Sequence, residues 1–273
     1  MIPAIDAFGL TDTGKVRESN EDNFLIVEIR KSVEVHHSSL ANEHYADRFG
    51  ASGGYLFVVA DGVGGGPDGD RASGDTIKAL LDYVGETVGC FNAATVSKEH
   101  ELFERLEETV RKVHLNLIET HGGGQGPATT LTMALLIWPR VYVVHVGDSR
   151  AYVRRGGKVQ QFTRDQTFGE YMVSLGAWTE EQAAASRPGA TLTSAVGGPQ
   201  FEPVVGLINL EEGDSMLLCT DGLTKHVTDD RLAEVLGDAI DAQAMTRTLV
   251  DEALAGGGTD NVSVIVVRTA REG

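Results

Sequence analysis

Cysteine is scarce in this chain of 273 residues: there are two, Cys90 and Cys219, far apart in sequence. That argues against a disulfide framework and against a cysteine-based zinc site. Cys219 lies inside the apolar run 215–219 and reads as a small buried hydrophobe. Basic residues are few as well, 23 against 40 acidic ones, for a formal net charge of −17. Non-specific nucleic-acid binding needs a basic surface that displaces phosphate counterions, so nucleic acid is not an expected partner. No apolar run approaches the roughly 20 residues that span a bilayer. The first residues lack the basic-then-apolar pattern of a secretory signal. The expectation is a cytoplasmic protein without a membrane partner. No Pro/Ser-rich or charge-block linker divides the chain, so residues 1–273 read as one domain, and a monomer is the default. A hydrophobic content of 41% and a charged content of 23% are ordinary for a globular protein.

Strand signals occupy the edges and the middle. Residues 23–29 and 55–60 are short apolar runs, the second ending directly on Asp61. Residues 131–138 put Leu131, Met133, Leu135 and Ile137 on one face. Pro139-Arg140 then breaks the run before 141–146, which predicts a hairpin. A second hairpin is expected where 151–154 and 158–162 flank Arg155-Gly156-Gly157. Runs at 215–220 and 262–267 complete the set. Helical spacing appears at 69–88, through Ile77, Leu80, Leu81 and Val84, and at 97–120, through Leu102, Leu106, Val110, Val113 and Leu117. Ser97 can cap the latter, with Glu99 and Glu101 suited to the positive end of its dipole. Two further helices are expected at 229–236, capped by Thr228, and at 241–254, ended by Gly256-Gly257-Gly258. Helices and strands do not alternate, and several strands are joined by hairpins. That argues for an α+β protein with antiparallel sheets and helices packed outside. Residues 31–54, which contain His36, His37 and His44, read as a polar loop insertion. Residues 163–200 mix short helical stretches with glycine and proline.

Acidic motifs recur beside these strands: Asn20-Glu21-Asp22, Asp61-Gly62, Gly147-Asp148-Ser149-Arg150, Asp221-Gly222 and Asp260-Asn261. Any one of them is most often a turn. Together they supply hard oxygen donors from distant parts of the chain, and rigid converging carboxylates repel one another unless a hard cation lies between them. Asp61 can offer both oxygens to two cations, and Gly62 lets a backbone carbonyl approach without a side chain in the way. Adjacent acids in a strand point to opposite faces. Glu21 is therefore expected to reach a metal, through water, with Asp22 behind it. Arg17 suits bidentate binding of a phosphate dianion, or a plain surface pair with a nearby acid. Asp148 either binds another cation or hydrogen-bonds the turn that follows. His145 and His226 read as packing residues.

These motifs, in this order and spacing, resemble the metal-dependent serine/threonine protein phosphatases of type 2C, especially bacterial members. The matching segments are Arg17 to Phe24, Asp61-Gly62-Val63-Gly64-Gly65, Thr129-Thr130-Leu131, Gly147 to Arg150, Thr193 to Gly197, Thr220-Asp221-Gly222-Leu223 and Thr259 to Ser263. The resemblance implies a four-layer α-β-β-α sandwich, two antiparallel sheets flanked by helix pairs, with Mn²⁺ or Mg²⁺ at one edge. It implies that Asp61 bridges two ions and that Asp221 and Asp260 complete the first. The Gly62 carbonyl and Glu21 serve the second, and Asp148 joins Asp221 at a weaker third. Asp22 belongs to the same metal-site set, and Asn261 supports it from behind. Arg17 would hold the substrate phosphate, so Arg17, Asp61 and Asp221 carry the catalysis. Two cations lower the pKa of a shared water, which attacks phosphorus in line with the Ser or Thr oxygen. The chain departs from the pattern at Val63, where some members carry a histidine proposed as general acid, and at Gln166, where bacterial relatives often carry histidine. Residues 166–192 would form the flap beside the substrate groove. The implied partners are phosphorylated proteins, including a Ser/Thr kinase and its targets. Two rival readings are a catalytically silent binding or sensing module and a hydrolase of small phosphoesters.

Overall fold

The computed structural model describes residues 3–29, 33–38, 54–64, 67–88, 99–120 and 126–269. Two antiparallel sheets lie face to face. The first contains β1 (Ile5–Asp12), β8 (Arg150–Arg155), β9 (Lys158–Gln161), β11 (Ser215–Cys219) and β12 (Val262–Thr269), in the order β1-β12-β11-β8-β9. The second contains β2 (Asp22–Ile29), β3 (Val33–Ser38), β4 (Gly54–Val63), β6 (Leu131–Ile137), β7 (Arg140–Val146) and β10 (Val204–Asn209), in the order β10-β7-β6-β4-β2-β3, with the short β5 (Ala128–Thr129) paired to β4. Helices α1 (Pro67–Val88) and α2 (Glu99–Thr120) cover the second sheet. Helices α5 (Asp221–Thr224), α6 (Asp229–Val235) and α7 (Ala242–Ala255) cover the first. The flap carries α3 (Phe168–Ser174), α4 (Glu180–Ala185) and a 3₁₀ turn over Arg187–Ala190.

The alternation of side chains along each strand builds three apolar layers from two sheets. In β4, Leu56, Val58 and Ala60 face α1 and α2, while Phe57 and Val59 face the other sheet. In β12, Val262, Val264 and Val266 meet α7, and Ile265 and Val267 turn inward. Strands buried on both faces read as continuous apolar runs, which is why β2, β4, β6, β7, β11 and β12 were visible by eye. Leu131, Met133, Leu135 and Ile137 share the helix-facing layer as their spacing predicts. Thr228 caps α6, accepting from the Arg231 amide, and Asp241 caps α7, accepting from the Ala244 amide.

The structure departs from expectation in three places. Part of the segment 31–54 is strand, because β3 pairs with β2 in antiparallel register. Strands β1 and β10, which the apolar-run reading missed, lie at sheet edges with mostly half-buried or exposed residues. Strand β4 runs on past Asp61 to Val63, held there by β5. The expected cap Ser97, the side chain of Val84, Cys90, His44 and Gly65 lie outside the described residues, as do the side chains of His36 and His37. Among the described residues no helix is long and apolar enough to cross a membrane.

Candidate metal centre

Five carboxylates gather where strands of both sheets end. Asp22 opens β2 and is the register partner of Asp61 near the end of β4. Asp148 follows β7, Asp221 follows β11, and Asp260 precedes β12. Paired threonines pin Asp61. Its amide donates to Thr130 Oγ1 at 3.0 Å, and its carbonyl accepts from the Thr130 amide at 2.8 Å and from Thr129 Oγ1 at 2.9 Å. Thr220 joins the two sheets: its hydroxyl donates to Asp22 Oδ2 at 2.8 Å and accepts from the Ser263 amide at 2.9 Å. Asn261 ties its segment to the β1–β2 connection at three points, accepting from the Glu21 amide at 2.9 Å and donating to the carbonyls of Thr13 and Ser19 at 2.8 and 2.9 Å. It thus holds the segment of Asp260 against the segment of Glu21 and Asp22.

Two glycines set how closely the backbones approach. A Cβ on Gly62 would strike the Gly69 carbonyl of α1 and come within 2.9 Å of the Glu21 carbonyl. A Cβ on Gly222 would strike the Asn261 carbonyl, so the start of α5 presses directly on the 260–262 segment. Glu21 is buried beside the first turn of α1, its carboxylate against Gly69.

The electrostatics are those of crowded anions. Burial, then Asp22, Asp221, Asp148 and Asp260, push the Asp61 carboxyl well above the usual carboxylate range. Burial lifts Asp22 to about 7 against the hydrogen bonds of Thr220 and Ser263. Burial, with Asp221 and Asp165, lifts Asp148 to about 7. Burial also raises Asp221, with Lys225 opposing. Asp260 differs: burial would raise it, but hydrogen bonds from Lys225 and Arg17 hold it below the usual range. Arg17 Nε lies 2.7 Å from Asp260 Oδ1 and its Nη2 3.0 Å from Oδ2. Lys225 Nζ bridges Asp221 Oδ2 at 2.6 Å and Asp260 Oδ2 at 2.7 Å.

The donor set fits a hard divalent cation. It is all oxygen, and Oδ1 of Asp22 and Oδ1 of Asp221 are buried without a hydrogen-bond partner. A buried acceptor left unmatched among like charges is costly unless a cation meets it. Among the described residues, however, no three acidic, histidine or cysteine side chains close around one point as a preformed cage does. Lys225 and Arg17 instead occupy oxygens of Asp221 and Asp260.

Sequence reasoning passed over Lys225. Its signal was the i,i+4 spacing from Asp221 after the Thr220 cap, on a helix of a single turn. It also passed over the anchoring role of Gln166. That side chain accepts from the Gly147 amide at 2.8 Å and donates to the Glu202 carbonyl at 2.7 Å, while its own amide donates to the Gly147 carbonyl at 2.7 Å. The base of the flap is thereby tied to the loop that carries Asp148. Asp165 adds a two-oxygen pair with Arg150, at 2.9 Å and 3.2 Å to Nε and 2.7 Å to Nη2. His145 is buried, with Nε2 donating to the Arg164 carbonyl at 3.1 Å and Nδ1 2.9 Å from Thr132 Oγ1. His226 accepts from the Thr259 amide at 3.2 Å and packs on Gly256 and Gly257. Val63 is exposed and has no proton to give.

Known proteins share this fold. The profile of the family described as Protein phosphatase 2C matches residues 37–256. The serine/threonine protein phosphatase PstP of Mycobacterium tuberculosis is 34% identical over 218 residues, covering 79% of this chain and 40% of PstP. The chain thus spans less than half the length of that relative. The solved structure of the S. agalactiae serine/threonine phosphatase superposes with a TM-score of 0.81 at 26% identity, covering 97% of this chain and 100% of that one. The PstP catalytic domain in complex with 2 manganese ions superposes with a TM-score of 0.73 at 29% identity, covering 98% and 99%. On its sequence, its two-sheet sandwich and the family profile across most of its length, the chain belongs to the protein phosphatase 2C family.

Proposed function

We propose that this chain is a metal-dependent protein phosphatase that hydrolyses phosphoserine and phosphothreonine in proteins, with residues 1–273 as a single catalytic domain. The observation that carries the reading is the convergence of five carboxylates from five strand ends, two of them with a buried oxygen left unmatched. Two divalent cations, Mn²⁺ or Mg²⁺, would supply a lowered pKa for water and polarisation of the phosphate. A relative's catalytic domain is described with manganese, which supports the choice of metal. Asp61 would hold both ions, Asp221 and Asp260 one of them, and Glu21 with the Gly62 carbonyl the other. Asp148 with Asp221 would hold a weaker third. Asp22, tied to Thr220, would stiffen the set.

Arg17 is half-exposed at the rim and its guanidinium already faces the centre. It would exchange one oxygen pair, that of Asp260, for another, that of the substrate phosphate, and so orient phosphorus for in-line attack. The leaving hydroxyl cannot take its proton from Val63. The substrates would be phosphorylated proteins, among them a Ser/Thr kinase and its targets. No observation favours a silent binding module, since Asp61, Asp221 and Asp260 are all present. The test is phosphate release from a phosphothreonine peptide by the wild-type protein and by Asp61→Asn. Release that needs Mn²⁺ or Mg²⁺, stops with EDTA and is absent in the variant is the expected outcome. A well-folded wild type that releases no phosphate with either ion would overturn the reading.

A further inference from the structure

The two aspartates assigned to one cation are joined by a side-chain ammonium. Lys225 Nζ sits within 2.6 and 2.7 Å of Asp221 Oδ2 and Asp260 Oδ2. The lysine is brought there by the single turn of α5, whose last carbonyl bonds return the Lys225 amide to Asp221 and Leu223. This pairing does not satisfy the site. Asp221 Oδ1 remains buried and unmatched, and Lys225 with Arg17 sets two positive charges against five carboxylates. The Lys225 side chain is 40% exposed, which leaves it a path outward without disturbing the core. A divalent cation seated on Asp221 Oδ2 and Asp260 Oδ2 would lie against the ammonium that donates to both, and two positive centres that close repel each other strongly.

We propose that Lys225 is a tethered competitor for the metal. Its ammonium holds Asp221 and Asp260 together before an ion arrives, and it must swing out for the ion to bind. The inference rests on the reading that Asp221 and Asp260 share a cation. In these terms Lys225 sets the metal concentration at which the centre fills, and it does so by negative coupling between two cations at one pair of oxygens. Arg17 has the weaker claim to this role, since it touches Asp260 alone.

Two measurements test it. Calorimetric titration of Mn²⁺ into metal-free protein should show Lys225→Gln binding at least roughly tenfold tighter than wild type, with Lys225→Arg close to wild type. A purely structural ion pair predicts the opposite, a variant that binds the ion no better or worse. The second measurement needs no variant. Amine labelling of the wild-type protein, read by mass spectrometry, should become several-fold faster at Lys225 when Mn²⁺ is added, while the exposed Lys158 stays unchanged. Equal labelling of Lys225 with and without bound Mn²⁺ overturns the proposal even if Lys225→Gln fails to fold. If wild type binds Mn²⁺ and Lys225→Gln binds it no more tightly, the competitor role falls and the metal centre stands. If neither binds Mn²⁺, the reading of the centre falls and the competitor role with it.

Discussion

One strand carries an aspartate at each end, and the two have opposite fates. Asp214, just before β11, is buried and fully met: Arg155 Nε lies 3.1 and 3.0 Å from its two oxygens, Arg155 Nη2 2.5 Å from Oδ2, and the Glu211 amide donates to it at 2.8 Å. Asp221, just after β11, has one oxygen on Lys225 and the other buried with no partner, among four like charges. Both are acids at the ends of the same buried strand, and the better buried of the two, Asp214, is the one that is fully met. What separates them is how much acceptor capacity the protein itself fills. An acid whose oxygens are all matched by its own chain is a strut, and one left with an unmatched oxygen in a repelling cluster is a binding group.

The sharpest way to test this contrast is to neutralise each end in turn. Asp221→Asn should lower metal-dependent phosphate release by about 100-fold or more if, as proposed, it removes a ligand rather than a supporting group. The same variant should keep or gain thermal stability without metal, because it removes one of the repelling charges. A variant that keeps its activity would erase the distinction. Asp214→Ala should do the reverse. Loss of its charged hydrogen bonds should cost about 2 kcal/mol of stability, seen as a lower urea midpoint, while the folded enzyme turns over as before.

A smaller effect should appear in the pH dependence of the metal-free protein. Asp22 and Asp148 keep their protons to about pH 7 in the folded state. The unfolded chain releases the same protons near the ordinary carboxylate pKa of about 4. Folding therefore binds more protons between those limits, and stability must fall as pH rises from about 4 to about 7. Water reaching this edge of the sandwich will damp the effect. Urea midpoints at several pH values should show a shallower decline for Asp22→Asn than for wild type, and saturating Mn²⁺ should counter the decline. A wild-type slope no steeper than that of Asp22→Asn would contradict the crowded-anion account.

Much of this molecule could be read from the chain. Strands buried on both faces declare themselves as apolar runs, and acids placed against their ends declare the centre. What stayed hidden depended on pairing or on very short elements. Strand β3 belongs to a polar stretch and exists as a strand through its ladder with β2. Strands β1 and β10 lie at edges, where half-exposed positions blur the alternation. Asp61 lies inside its strand and not after it, because β5, two residues long, extends the ladder. Lys225 was missed because a one-turn helix leaves no periodicity to detect, yet that turn is what carries its ammonium back to Asp221.

The order of strands in the first sheet has a consequence for synthesis. β1, made before every other described strand, lies beside β12, made after them, with Ile5 opposite Thr269 and Asp12 opposite Val262. Asn261 ties the same late segment to the Thr13 and Ser19 carbonyls. A chain emerging from the ribosome can complete the β2-β4-β6-β7 ladder early, but its N-terminal strand has to wait for a partner more than 240 residues away. Asp260 directly precedes that partner, so the five carboxylates cannot gather before β12 has been made. The β1-β12 pairing and the gathering of the carboxylates are therefore completed by one and the same late-made segment, and whatever parts β1 from β12 also parts Asp260 from Glu21 and Asp22.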